Sequence, residues 1–102
     1  MLLIDKNIID RIKEISASLG VKRLYIFGSA VSDRFNDGSD IDILIAFDET
    51  LTPEQYANNF FELHYKLQEL FGRDVDIITE RSLSNPYFIK SVDETKKLLA
   101  QT

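Results

Sequence analysis

The chain has 102 residues, a net charge of −5 and no cysteine, which suits one domain over residues 1–102 and excludes a disulfide framework, a thiolate zinc site and a cysteine nucleophile. The negative balance argues against nucleic acid, which is held by cationic contacts to phosphate, whereas an oxygen-ligated metal and a small nucleotide stay open. No run of about 18 apolar residues occurs and Asp5 cuts short the apolar start, so neither a membrane span nor a signal peptide is expected, and a soluble cytoplasmic protein is.

Ile8, Ile12, Ile15 and Leu19 recur at helical spacing before Gly20, which predicts a first helix over residues 5–19. Residues 21–27, rich in β-branched and aromatic side chains, read as a strand running into a turn at Gly28. A brief helical turn and a loop rich in Asn, Asp, Gly and Ser fill residues 29–39. Residues 40–47 then alternate as a second strand. Thr52 and Pro53 open a long helix, Thr52 as cap and Pro53 in the first turn, with Tyr56, Phe60, Leu63, Leu67 and Leu70 on its buried face and Gly72 as its stop. Residues 74–79 form a third strand. Asn85 and Pro86 cap a last helix that turns Phe88, Val92 and Leu99 inward. The resulting order, α-β-(short α)-β-α-β-α, predicts an α+β fold with an α/β-like order: a short, three-stranded mixed sheet, helices packed on one face and the other face open.

Strand alternation sends Asp40 and Asp42 to one face and Ile41 and Ile43 to the other. Two carboxylates this close repel, and a divalent cation between them relieves the repulsion. The third strand offers Asp74 and Asp76 by the same alternation. Asp76 is the better third carboxylate, because it lies inside the apolar strand while Asp74 sits at its mouth. Three carboxylates are what two-metal phosphoryl transfer uses, with cations about 3.5–4 Å apart clamping the attacking and leaving oxygens. On this reading Asp40, Asp42 and Asp76 ligate two Mg²⁺ ions, and Asp76 is also the candidate proton acceptor. Gly28 and Ser29 stand where a strand meets a helical turn, a place for phosphate to meet free backbone amides. No Gly-Lys-Ser/Thr follows, so this is not a Walker A loop, and the EF-hand pattern fails because aligning Gly38 puts Phe35 and Leu44 at ligand positions. His64 is expected to be structural. Arg34 and Arg73 are candidates to neutralise phosphate.

Gly28-Ser29, then Asp40-Ile41-Asp42, then Asp76 on the next strand resemble the GS…DxD…D signature of the DNA polymerase β-like nucleotidyltransferases, and the size is similar to that of the minimal nucleotidyltransferases. Tyr25-Ile26-Phe27, Gly72-Arg73-Asp74-Val75 and Asn85-Pro86 extend the resemblance over nearly the whole chain. The resemblance implies a polymerase β-like core and transfer of NMP, most often AMP from ATP, to a hydroxyl. It also implies a partner, since many minimal members are antitoxins of helical HEPN-type toxins and some adenylylate a tyrosine of the toxin. A homodimer would likewise supply missing surface. The alternative is a non-catalytic antitoxin that neutralises its partner by contact. Where relatives often carry a basic residue and a glycine shortly after the GS pair, this chain has Ser32 and Asp33.

Overall fold

The computed structural model describes residues 2–102. Asp5 caps helix α1 (Lys6–Leu19) by accepting from the Ile8 amide, and Gly20, at φ 72°, closes it. Strand β1 (Val21–Phe27) leads into a 3-10 turn at Gly28–Val31, and a loop then delivers β2 (Ile41–Phe47). Helix α2 (Pro53–Phe71) opens with a reciprocal cap: the Thr52 hydroxyl accepts from the Gln55 amide, and the Gln55 side chain accepts from the Thr52 amide. Strand β3 (Val75–Thr79) and a second 3-10 turn at Glu80–Ser82 precede α3 (Pro86–Thr95) and β4 (Lys97–Gln101).

The sheet runs β3-β2-β1-β4. β1 pairs antiparallel with β2 and β4, while β2 and β3 run parallel. It is therefore the mixed sheet of an α+β fold, with one strand more than the sequence suggested. The expected last helix stops at Thr95, and Leu99, assigned to its inner face, lies instead in β4. Val92 and Leu99 are seven apart and so fit a helical period, but pairing with β1 claims the last five residues for the sheet.

Alternation along the strands gives each face its own contacts. Leu24, Ile26, Ile41, Ile43, Ile45 and Val75 pack with Ile12 and Ile15 of α1 and Leu63 and Leu67 of α2, forming the main core. On the opposite face, Phe27 and Leu44 meet Val92 of α3, flanked by Tyr25, Ile78 and Leu83. Phe88 adds an edge-to-face contact to Phe27 at 6.1 Å. The long helices thus share one face as expected, and α3 covers part of the face expected to be open. What remains uncovered there is the end at which β2 and β3 begin.

Candidate active site

Asp42 and Asp76 are register partners on the parallel strands β2 and β3, so their side chains leave the same face of adjacent strands. Asp40 precedes β2, and the Ile41 amide beside it donates to the Asp74 carbonyl at 3.1 Å, tying the mouths of the two strands together. Asp40 and Asp76 are exposed, whereas Asp42 is half-buried. Asp42 consequently shows the electrostatic strain: burial, then the charges of Asp76 and Asp40, raise its carboxyl above the usual range. The three carboxylates that the sequence grouped are brought to one end of one sheet face. Asp74 sits at the mouth of β3, before the strand begins.

Gly28 follows Phe27, the residue opposite Asp42 across the antiparallel pair. It adopts φ 71°, and a Cβ built there would lie 2.6 Å from Asp42 Oδ2. The Asp42 carboxylate therefore rests against a bare Cα, and only glycine accepts both the backbone conformation and the contact. The Gly28 amide donates to Thr95 Oγ1 at 3.1 Å, and Thr95 in turn donates to the Ser91 carbonyl at 3.1 Å, so the end of α3 anchors the turn. Ser29 occupies the next position, and its carbonyl accepts from the amide and hydroxyl of Ser32, both at 3.0 Å. Ser32, at a place where relatives often carry a basic residue, closes the turn.

The other candidates resolve differently. His64 Nε2 lies 2.8 Å from the Val75 carbonyl, a structural tie between α2 and β3. Arg73 places Nη1 on the carbonyls of Asn36 and Ser39, each at 3.0 Å, and is committed to the loop before Asp40. Arg34 is exposed on that loop. A separate cleft of about 390 Å³ opens at the far end of the sheet, lined by Arg23, Phe47, Tyr56, Glu80 and Arg81, remote from the aspartates.

The donor set suits a hard divalent cation: three carboxylates and no competing thiolate, with one carboxyl driven up by burial and by its neighbours. As the side chains stand, no three acidic or imidazole groups among the described residues converge on a common point.

Three aspartates beside a glycine–serine turn at one end of a mixed sheet are the arrangement that the resemblance to nucleotidyltransferases implied. The family model for the nucleotidyltransferase domain matches residues 6–99, and the chain belongs to that family. A Methanocaldococcus jannaschii protein named “Putative protein adenylyltransferase MJ1379” is 39% identical over 74 residues, covering 72% of each chain. A solved toxin–antitoxin structure with AMP-PNP superimposes with a TM-score of 0.68 and 27% identity, over 92% of this chain and 73% of that one. The tri-AMPylated Shewanella oneidensis HEPN toxin in complex with MNT antitoxin gives 0.64 and 26%, over 97% and 74%.

Proposed function

We propose that this nucleotidyltransferase moves AMP from ATP to a hydroxyl on a HEPN-type partner protein, that residues 1–102 work as one catalytic domain, and that it does so in the cytoplasm. The observation that carries the reading is the pairing of Asp42 with Asp76 across β2 and β3, with Gly28 cut away to admit the Asp42 carboxylate. Asp40, Asp42 and Asp76 would hold Mg²⁺, two ions in all, which supply Lewis acidity at the α-phosphate and at the departing pyrophosphate. In the turn after β1, Gly28 would let the backbone come close to the triphosphate, its own amide being bonded to Thr95, and Ser29 would supply the donor. The acceptor oxygen forms its bond to the α-phosphorus as the bond to the β-phosphate oxygen breaks, and its proton passes to the Asp76 carboxylate. Pyrophosphate leaves.

The base and the acceptor need more surface than the uncovered sheet end provides, and the partner or a second copy of the chain supplies it. The relatives named as adenylyltransferase and the AMPylated HEPN complex support AMP and a HEPN-type acceptor. The net charge of −5 argues against nucleic acid as acceptor, and among the described residues no helix is long and apolar enough to cross a membrane.

A second reading, a binding antitoxin with a retired site, draws on the lack of a converging three-ligand group among the described residues. One experiment separates the two. The chain and the protein encoded beside it are incubated with Mg²⁺ and ATP labelled at the α-phosphate, next to the Asp40→Ala/Asp42→Ala variant. Label on the partner that requires the aspartates establishes transfer. Absence of label together with neutralisation by both forms leaves only binding.

A further inference from the structure

Asp40 stands at the end of a loop whose hydrogen bonds are largely its own. The Asn36 amide donates to Ser39 Oγ at 3.1 Å, the Gly38 amide to Asn36 Oδ1 at 2.8 Å, and the Ser39 amide to the Asn36 carbonyl at 3.0 Å. Such bonds give the loop its shape, and its hold on the body of the protein comes from Phe35 against the core, from the Ile41 amide on the Asp74 carbonyl, and from one long side chain. Arg73, from the connection between α2 and β3, reaches across to it. Its Nη1 donates to the Asn36 and Ser39 carbonyls, each at 3.0 Å, and its guanidinium carbon lies 4.5 Å from the centre of the Phe35 ring. Ser39 is the residue before Asp40, and Arg73 is three residues before Asp76. One side chain therefore links the loop that presents the first carboxylate to the strand that carries the third.

We propose that Arg73 is a positioning residue for the carboxylate cluster: by clamping the 35–39 loop to the root of β3, it fixes Asp40 relative to Asp76 before any cation arrives. The proposal rests on the assignment of those aspartates as cation ligands. A planar guanidinium suits the task because it stacks on Phe35 while Nη1 bonds two carbonyls, and a lysine reproduces the charge without the plane. These contacts give Arg73 a use other than the one the sequence suggested, neutralising phosphate, since Nη1 is spent on two backbone carbonyls. Groups that hold and orient ligands from outside typically change metal affinity or activity by about 10- to 100-fold when removed.

The test titrates Mn²⁺ into the nucleotide-free chain, following the free ion by electron paramagnetic resonance, for wild type, Arg73→Ala, Arg73→Lys and Phe35→Leu, and measures kcat and KM for AMP transfer in parallel. Arg73→Ala is expected to bind Mn²⁺ about 10- to 100-fold more weakly in the nucleotide-free chain and to need correspondingly more metal for AMP transfer; Arg73→Lys and Phe35→Leu fall between it and wild type. A rise in KM with kcat and Mn²⁺ affinity kept would make Arg73 a phosphate ligand and overturn the proposal. Wild-type Mn²⁺ affinity with only a lowered unfolding temperature would reduce it to a fold-stabilising residue. Should Arg73→Ala fail to fold, the two milder variants carry the same comparison. A wild-type chain that neither binds Mn²⁺ nor transfers AMP defeats the assignment of the aspartates and the clamp with it, whereas a competent wild type with indifferent variants defeats the clamp alone.

Discussion

Where β2 and β3 end, Arg23 meets Glu80 in a two-bond ion pair, Nε to Oε2 at 2.9 Å and Nη2 to Oε1 at 3.1 Å, and Arg81 lies 4.0 Å over the Tyr56 ring. Where the same strands begin, Asp40, Asp42 and Asp76 share one face, and none of the ion pairs among the described residues includes them. Glu80 stabilises the charged Arg23 guanidinium, raising its pKa, whereas Asp76 and Asp40 add to burial in opposing the charge on Asp42. One end of the sheet is arranged for folding. The other keeps repulsion that folding alone would remove, and groups perturbed by burial and by a like charge are characteristic of sites that meet a ligand.

The sharpest way to test that contrast is Asp42→Asn. Transfer of labelled AMP is expected to fall by about 10²–10³-fold or more, the scale of losing a preorganised charge. Stability should move the other way. The folded-state pKa of Asp42 lies above its unfolded value, so its contribution is most favourable at low pH and is lost as pH rises through the raised folded-state pKa. In cation-free buffer at neutral pH, Asp42→Asn should therefore unfold at a higher temperature than wild type, and Mg²⁺ should raise the wild-type midpoint while leaving the variant's in place. A variant less stable than wild type under those conditions would break the comparison.

Next in size comes a pair of glycines. Gly28 and Gly72 have nearly equal φ, 71° and 67°, yet a Cβ at Gly28 lands 2.6 Å from Asp42 Oδ2 while one at Gly72 meets nothing within 4 Å. Gly72→Ala should cost only the backbone term, about 1–2 kcal/mol. Gly28→Ala should cost more in thermal unfolding and should also lose most AMP transfer, because the Asp42 carboxylate has to move. Equal losses of activity in the two variants would count against the site.

The smallest effect belongs to the far end. Glu80→Gln removes the charge opposite Arg23, whose side chain is 31% exposed and whose partner's is 32%, and should lower stability by about 1 kcal/mol or less with kcat unaltered. A loss of transfer activity there would show that the two ends are not independent.

The elements that carry the site were readable because each has a local signature. Ile41, Ile43 and Ile45 against Asp40 and Asp42 state a period of two, Thr52-Pro53 states a helix start, and Gly20, Gly28 and Gly72 all occupy the left-handed region their turns require. β4 lacked such a signature. Lys97, Leu98, Leu99, Ala100 and Gln101 are indifferent to strand or favour helix, and they become strand by pairing with β1, a choice made by tertiary context. Asp40 and Asp42 were brought together by alternation alone, and the partnership of Asp42 with Asp76 required only that β2 and β3 be neighbours. The tasks of Arg73 and Thr95 could not be read locally, for their partners lie 34 and 37 residues away in one case and 67 in the other. Arg73 reads in the sequence as a cation near a turn, but its loop partners are backbone carbonyls, which leave no mark in a sequence.

The hydrogen bond from the Gly28 amide to Thr95 has a practical consequence. An amide held by a side chain on α3 exchanges its proton with solvent only when that bond opens, so the exchange rate at this single position measures how often the end of α3 lifts from the turn after β1. A spectroscopist following one glycine resonance would thus have a clock on the covering helix without labelling it.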